Sequence, residues 1–524
     1  MFHAPADGAI DHLFEAARLL RDLEARVIDL TLLAGYQEVV LPVLERLEVF
    51  ASEEEQVVRF VDRQGHVMGL RADFTGPTAR VVATRLRSQP VVRLCYRGHV
   101  FRNPDAGEGQ RSELHQAGFE LFDEGGPAAD AEAIRLALRA CDALGATGAR
   151  ACLGSAALVA ALLPGATEDH RRALDRRDAG AIPVELACLL DFAGPPEVLE
   201  RARRELPEAA RPAIARLSAV VSELGALADR VVIDLAEVRP WAYYSGVVFD
   251  LFAPGFPSAI GGGGRYDGLV AKYGHGRPAV GASLAIEVIA AGLLTRPAEG
   301  GASDRGLTIA LPKGRIRSSI VAALGDLAPD TSSLESRQLR VPGRAPLGTV
   351  PASFLLVKDP DIPSYVERGI ADVGIVGLDT LEEAPRIEVL RPLALDLGRC
   401  RMSLCGKPGT KLRSLAERGN LRIATKYPKI ARRALEERGL PAEIIPLRGS
   451  VELATLTGLA DAIIDLVETG ATLKANGLVE LEELLVSTAR VVVNRASWRL
   501  KTVEVSELLG RLARVAKGGG HAKT

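Results

Sequence analysis

The sequence predicts two folds in tandem: an α+β domain with a helical insertion, then a pair of α/β lobes. Three observations predict this. In the first half, short strand-like runs alternate with helices and are interrupted by an Ala-, Leu- and Arg-rich stretch over 150–230. At 295–306 the chain loses periodicity and concentrates Pro, Gly and Ser, which marks a domain boundary. Beyond it, apolar strands and helices alternate, as parallel α/β lobes require, and one strand-to-helix turn has the composition of a phosphate cradle.

Composition narrows the class. The chain has 524 residues, which suggests three or four structural units at ~100–200 residues each. Hydrophobic residues make up 47% and charged residues 25%, ordinary values for a globular protein. With 65 Lys and Arg against 67 Asp and Glu, the formal net charge is −2, so no drive toward nucleic acid follows. Cys95, Cys141, Cys152, Cys188, Cys400 and Cys405 form no C-x-x-C pair and read as scattered core thiols. The start, MFHAPADGAIDHLFEAARLL, lacks a basic segment followed by an apolar one, so no secretory signal is expected. No run of about 18 apolar residues occurs, so no membrane partner is expected and the predicted compartment is cytoplasmic.

Leu13, Leu20, Val27 and Leu30 recur at helical spacing across 10–33, and Gly35 ends the run, so an amphipathic helix is predicted there. Residues 36–42 read as a strand, with Pro42 favouring a sheet edge. Further strands are predicted over 57–61, 67–70, 91–96 and 118–122, and a helix over 78–86. Asp130 is placed to cap a helix whose Ile134, Leu138 and Cys141 share a face and which stops at Gly145. The stretch 150–230 is predicted to be mostly helical, and strands return over 231–235 and 247–251.

Residues 91–122 read VVRLCYRGHVFRNPDAGEGQRSELHQAGFELF. Phe101-Arg102, a loop, and the returning His115-Gln116-Ala117-Gly118-Phe119-Glu120 resemble motif 2 of a class II aminoacyl-tRNA synthetase, specifically histidyl-tRNA synthetase. Arg71-Ala72-Asp73-Phe74-Thr75, Arg239-Pro240-Trp241-Ala242-Tyr243-Tyr244 and Gly262-Gly263-Gly264-Arg265-Tyr266-Asp267-Gly268-Leu269 resemble further motifs of that family, in the same order. Gly35-Tyr36 with Pro42 looks like its motif 1, which implies a homo-oligomer, dimer or tetramer. The resemblance spans about 9–295 and implies a class II synthetase-like fold over 1–294. The departures are informative. Arg-x-Glu of motif 2 becomes Arg102-Asn103-Pro104, and the motif 3 arginine is replaced by Val288, which cannot neutralise a triphosphate. No anticodon-binding domain stands between this half and the next. The residues resembling the family's histidine pocket remain: Asp73, Thr75, Arg102, Gln116, Glu120, Arg239 and Tyr244. Carboxylates for ammonium and imidazole, with an arginine for the carboxylate, suit a zwitterionic amino acid. Asp73 is one methylene shorter than the family's Glu, and Pro-Trp-Ala follows Arg239 where the family has Gly-Leu-Asp. A histidine pocket without the ATP machinery resembles the regulatory subunit of ATP phosphoribosyltransferase, and histidine is the implied inhibitor.

After the linker at 295–306, Leu307-Thr308-Ile309-Ala310-Leu311 is a predicted strand, followed by Pro312-Lys313-Gly314-Arg315 and a helix over 316–327. Two cations and a glycine at a strand end suit an anion, the alternative being a solvated basic turn. Strands follow over 353–357, 371–377, 420–425, 443–446 and 490–494, with a short helix over 365–369. The segment 370–375 echoes 459–464, each leading to a Thr-Leu pair, as two similar lobes facing a cleft would. The glycine-rich tail 517–524 is predicted to be flexible. The most informative stretch is Asp465-Leu466-Val467-Glu468-Thr469-Gly470-Ala471-Thr472-Leu473. A strand end, a small-residue turn and a helix start aim unpaired amides at whatever sits above the strand, which suits a phosphate. Gly470 permits close approach. An ordinary strand-to-helix connection is the alternative reading of these nine residues.

This half, over 307–501, resembles the short-form catalytic subunit of ATP phosphoribosyltransferase. The match runs through Ala310-Leu311-Pro312-Lys313-Gly314-Arg315, Ala424-Thr425-Lys426-Tyr427-Pro428, Gly458-Leu459-Ala460-Asp461 and the nine-residue stretch to Asn476-Gly477-Leu478. The resemblance implies a two-lobed fold of the periplasmic-binding-protein kind over 307–516, with the second lobe near 399–488. It implies transfer of phosphoribose from 5-phosphoribosyl 1-diphosphate to N1 of ATP, the opening step of histidine biosynthesis, with Mg²⁺ bound mainly through the diphosphate and no protein metal ligand assigned. The 5′-phosphate would sit on Thr469, Gly470, Ala471, Thr472 and Leu473. Asp465 would hold the ribose hydroxyls, Lys313 and Arg315 the diphosphate or ATP phosphates, and Arg337 and Asp361 the substrates. Glu468 stands where many relatives carry Ser. Two alternatives come from other classes: a working histidyl-tRNA synthetase fused to a transferase, and a non-catalytic two-lobed ligand-binding protein.

Overall fold

The computed structural model describes residues 5–518 other than 7, 51–56, 104–110, 123–124, 179, 239–242, 296–305, 315, 336–337, 385–386 and 420. Linker residues 296–305, Arg239, Arg315 and Arg337 therefore lie outside the described residues. Contacts divide the chain into two units. Unit 1 comprises 1–305 with 494–502, and unit 2 comprises 306–493 with 503–524. Unit 1 thus includes the last residue of the final strand of the second half, Asn494, and the eight residues that follow it.

Among the described residues, unit 1 is built on a nine-stranded sheet. Its order is Gln37–Glu38, Val92–Phe101, Glu113–Phe122, Ala279–Ala285, Gly261–Arg265, Val247–Phe252, Arg150–Ser155, Val231–Asp234 and Ala193–Gly194. The edge strand pairs parallel with Val92–Phe101, and the central six strands are antiparallel. The amphipathic helix forms over Phe14–Leu33 and buries Leu20, Leu23, Val27 and Ile28 against the sheet residues Phe119 and Leu121. A helix over Pro127–Ala143 covers the same face with Ile134 and Leu138.

Several sequence expectations are redrawn. The strand predicted over 36–42 shortens to Gln37–Glu38, and the helix predicted over 78–86 begins earlier, at Thr75. Asp130 does not cap its helix. It is buried in the first turn, 2.7 Å from Arg265 Nε and 2.7 Å from Arg216 Nη2, because two cations satisfy it better than orphan amides would. The helix-rich stretch 150–230 contains a sheet strand, Arg150–Ser155. The glycine run forms a strand over Gly261–Arg265 with no β-propensity of its own. A Cβ on Gly263 would stand 1.9 Å from the carbonyl oxygen of Gly281, so only glycine lets the neighbouring strand come this close.

Among the described residues, unit 2 carries two sheets. One orders Arg340–Pro342, Ala352–Val357, Leu307–Pro312, Val373–Gly377, Ala489–Asn494 and Val389–Ala394. The other orders Glu443–Pro446, Arg422–Thr425, Ala462–Val467, Cys400–Gly406 and Val479–Ser487. The chain passes between them twice, across 395–399 and through Thr488. Leu307–Pro312 pairs parallel with two neighbours, as the alternation of strand and helix predicted. Ala489–Asn494 runs antiparallel to Val373–Gly377, because it returns from the other sheet directly and not through a crossover helix. Each sheet has its own buried apolar set, Ile362, Val366 and Val389 in the first and Met402, Leu404 and Ile423 in the second. No described helix is long and apolar enough to cross a membrane.

Candidate functional site

In unit 1, the strand Glu113–Phe122 and the turn before the helix Thr75–Arg85 bring six of the seven candidate effector residues into one cavity of about 210 Å³. Asp73, Thr75, Arg102, Gln116, Glu120 and Tyr244 all line it. Arg239 is the seventh and lies outside the described residues. Glu120 is the buried centre of the pocket. Its Oε1 accepts from Thr75 Oγ1 at 3.1 Å and Tyr96 OH at 3.1 Å, and Tyr266 OH donates to its Oε2. Burial pushes its carboxyl up to about 8, against the pull of the three hydroxyl donors, and the nearby charge of Asp73 adds to the rise. Asp73 accepts from the Thr75 and Gly76 amides and holds the start of the helix. Gln116 donates to Ser283 Oγ at 2.7 Å, while its buried Oε1 has no partner among the described residues. A buried acceptor without a donor is where a ligand N–H belongs.

Sequence motifs named Tyr266 but did not place it in this pocket, and they missed Tyr96, Gly281 and Ser283. Gly281 lies opposite Glu120 in the strand register, and a Cβ there would meet Glu120 Oε2 at 1.6 Å. A register of that kind is a pairing fact and leaves no local pattern. Glu287 also lines the pocket and accepts from the His115 amide at 2.8 Å, with its carboxyl raised by burial. Val288 follows it, packed against the core.

In unit 2, the strand Ala462–Val467 ends at a turn in which Gly470 has φ +75°, and a short helix opens at Ala471–Ala475. This left-handed backbone is the conformation glycine adopts without strain. Asp465 and Leu466 through Leu473, with Cys400 and Glu452, line a cavity of about 270 Å³. All five residues expected to seat a phosphate, and Asp465, therefore meet in one place. Thr469 Oγ1 accepts the Ala471 amide at 3.4 Å, and the first amides of a helix have no intrahelical acceptor. Asp465 lies 3.6 Å from Lys426 Nζ. Burial raises its carboxyl above the usual range, opposed by the Leu466 amide and Lys426, with Glu452 adding to the rise.

A second cavity of about 490 Å³ shares Leu466 and lies between the two sheets. Asp359, Asp379, Thr380, Glu383, Lys426 and Tyr427 are among its lining residues. Of the other candidates, Lys313 is exposed at the end of its strand, its amide bonded to Val357 O, and Asp361 is exposed on a short turn. Neither lines the two cavities, whereas Asp359 does line the second. Its Oδ1 accepts the Gly314 amide at 3.2 Å. Sequence reading passed over this cleft because its walls come from both sheets.

The six cysteines are free thiols, and five are buried. Among the described residues, Cys152, Asp234 and Glu237 are the cluster whose ligand atoms converge as a metal would need. Cations already occupy that cluster: Arg499 pairs with Glu237 and lies 3.7 Å from Asp234, and Arg177 pairs with Asp234.

Comparison with known proteins bears on both units. The family described as histidyl-tRNA synthetase matches residues 8–289, and that described as ATP phosphoribosyltransferase matches 358–514. An ATP phosphoribosyltransferase of Geobacillus kaustophilus is 45% identical over 214 residues, covering 40% of this chain and 98% of its own. An ATP phosphoribosyltransferase regulatory subunit of Moorella thermoacetica is 38% identical over 308 residues, covering 53% of this chain and 79% of its own. The crystal structure of an ATP phosphoribosyltransferase regulatory subunit/histidyl-tRNA synthetase from Bacillus halodurans aligns with a TM-score of 0.51 at 26% identity. It covers 62% of this chain and 89% of that one, which gives unit 1 the class II synthetase-like fold. The chain belongs to the ATP phosphoribosyltransferase family, and joins a half of the histidyl-tRNA-synthetase-like regulatory kind to a catalytic half in one polypeptide.

Proposed function

We propose that unit 2 works as two lobes of the periplasmic-binding-protein kind, one on each sheet, and joins ATP to 5-phosphoribosyl 1-diphosphate between them. The observation that carries this reading is the cavity at 465–473, where a left-handed glycine, two threonines and the opening of a helix converge. The 5′-phosphate is seated on the Thr469–Leu473 amides, and Asp465 accepts from the ribose hydroxyls. Lys426, beside Asp465, faces the cleft that would admit the nucleotide. N1 of the adenine attacks C1 of the ribose as the bond to diphosphate breaks. N1 carries its own lone pair, so the step needs positioning and charge stabilisation more than a strong base. Lys313 and Arg315 are assigned to phosphate charge, and Arg337 and Asp361 to the substrates, on family likeness alone.

Mg²⁺ fits this cavity as a passenger of the diphosphate. Among the described residues, no three ligand atoms converge in unit 2, and Mg²⁺ typically keeps several waters and binds substrate phosphates with one or two carboxylates. Glu452 and Glu468 line the cavity and would be the carboxylates to hold the ion. When bound, the ion neutralises charge on the leaving diphosphate.

The pocket of unit 1 is proposed to bind histidine and to inhibit the transferase. Glu120 and Asp73 receive the cationic end and imidazole, Gln116 Oε1 gains a donor, and Arg102 and Arg239 take the carboxylate. A homo-oligomer, dimer or tetramer, is proposed from the motif 1 likeness. The test is direct: purified protein with ATP, 5-phosphoribosyl 1-diphosphate and Mg²⁺ forms phosphoribosyl-ATP and diphosphate, and histidine slows it. Absence of that product sinks the assignment of the cavity. Exchange of diphosphate into ATP with histidine present would instead favour an aminoacylating enzyme, which Val288 in place of the motif 3 arginine disfavours.

A further inference from the structure

The helix Pro428–Glu437 begins beside the cleft and lacks a cap of its own. Its N-cap residue, Tyr427, supplies no capping side chain and lines the cleft instead. Pro428 at the first helical position has no N–H, so the amides of Lys429 and Ile430 are the ones a cap should satisfy. The cap comes from the other sheet's layer. Glu383, at the end of the helix Leu378–Glu383, accepts the Lys429 amide at 3.1 Å on each oxygen and the Ile430 amide at 3.1 Å. Two further bonds fasten the same junction. Lys429 Nζ donates to Ala384 O at 2.9 Å, and Arg433 Nη1 donates to Glu382 at 2.8 Å. Arg391, on the first sheet, holds the other Glu382 oxygen at 3.1 Å. A carboxylate on a helix N-terminus is favourable both for its hydrogen bonds and for the helix dipole.

We infer that Glu383 is a positioning residue for the phosphoribosyl transfer, acting through Lys426 and Tyr427, whose helix it caps from across the cleft. Those two residues immediately precede the helix, with Pro428 between them and the capped amides; both line the cleft, and Lys426 reaches Asp465. Fixing the first turn of the helix therefore fixes the wall against which the substrates bind. The inference rests on the reading that this cleft holds the substrates.

Three measurements on the full-length protein test it. In Glu383→Ala, amide hydrogen exchange at Lys429 and Ile430 is expected to quicken by about 3- to 30-fold, the range one lost cap represents. Steady-state KM for both substrates is expected to rise over the same range while kcat stays within about twofold. Glu383→Gln keeps the shape and one acceptor and is expected to recover part of both effects, which also covers failure of the alanine variant to fold. Faster exchange with unchanged KM would make the cap merely structural and overturn the proposal. So would unchanged exchange, or a kcat lost with KM intact. The underlying reading fails separately: 5-phosphoribosyl 1-diphosphate added to the unaltered protein would then leave exchange across 465–473 unprotected.

Discussion

At the residue scale, Glu120 shows why a motif names a side chain but not its state. The letters His115-Gln116-Ala117-Gly118-Phe119-Glu120 give a carboxylate in a resembling pocket. Burial in the folded chain raises that carboxyl to about 8, with the charge of Asp73 adding to the rise and the hydroxyls of Tyr266, Tyr96 and Thr75 opposing it. A cationic group entering the pocket should drive its proton out, so histidine affinity is expected to rise with pH between about 6 and 8. Calorimetry in buffers of different ionisation enthalpy should detect proton release; a buffer-independent heat would contradict it. The stability effect has the opposite sign. The folded value lies above the unfolded one, so the protonated carboxyl favours the folded state. That contribution is complete below about 4.5 and lost as pH rises to about 8. Glu120→Ala should abolish the titration signal for histidine, and inhibition with it. In the transferase cavity, Thr472→Asp aims a carboxylate at the phosphate seat and should raise KM for 5-phosphoribosyl diphosphate by about tenfold or more, with little change in thermal unfolding. Unchanged steady-state kinetics would remove the loop assignment.

At the element scale, local chemistry and pairing part company. The helix Phe14–Leu33 was legible because its apolar residues repeat at helical spacing and Gly35 stops it. The strand Gly261–Arg265 was not, since glycines carry no periodic signal and their reason lies across the sheet. Gly281→Ala should therefore be more than an ordinary surface change. The new methyl would collide with Glu120, which is expected to cost about 1–3 kcal/mol in stability and to close the pocket proposed for histidine. Denaturant unfolding and histidine titration would check the two effects separately; a variant that binds histidine normally would refute the register-based account. Gly470 differs in kind, because its turn could be read from the sequence and the structure supplies the positive φ. Gly470→Ala should cost about 1 kcal/mol in strain, and should also weaken diphosphate-substrate binding.

At the scale of the whole molecule, chain order and structural membership differ. Residues 494–502, from the end of the last strand of the catalytic half onward, belong to unit 1. Arg499 is 2% exposed there, paired with Glu237 and lying over the Phe252 ring, while Arg495 meets Asp175 and Asn494 donates to Pro257 O at 2.8 Å. Burial raises the Glu237 carboxyl, and Arg499 is the countercharge that opposes this. Removing one partner of such a buried pair strands the other, so Arg499→Ala is expected to destabilise unit 1 by about 3–5 kcal/mol. Calorimetry that resolves two transitions should show the loss in unit 1; an unchanged profile would mean that the pair is not holding the segment.

The sequence by itself determined the order of the two halves and the family motifs that each carries. Each of these is written in contiguous residues whose spacing or chemistry is local. Tertiary structure alone decided the company those residues keep: Gly281 beside Glu120, Glu383 on the helix after Lys426 and Tyr427, and Arg499 beneath Glu237. Each pairing joins residues far apart in the chain, and hydrogen bonding and burial select partners by position in space, which a one-dimensional pattern does not record.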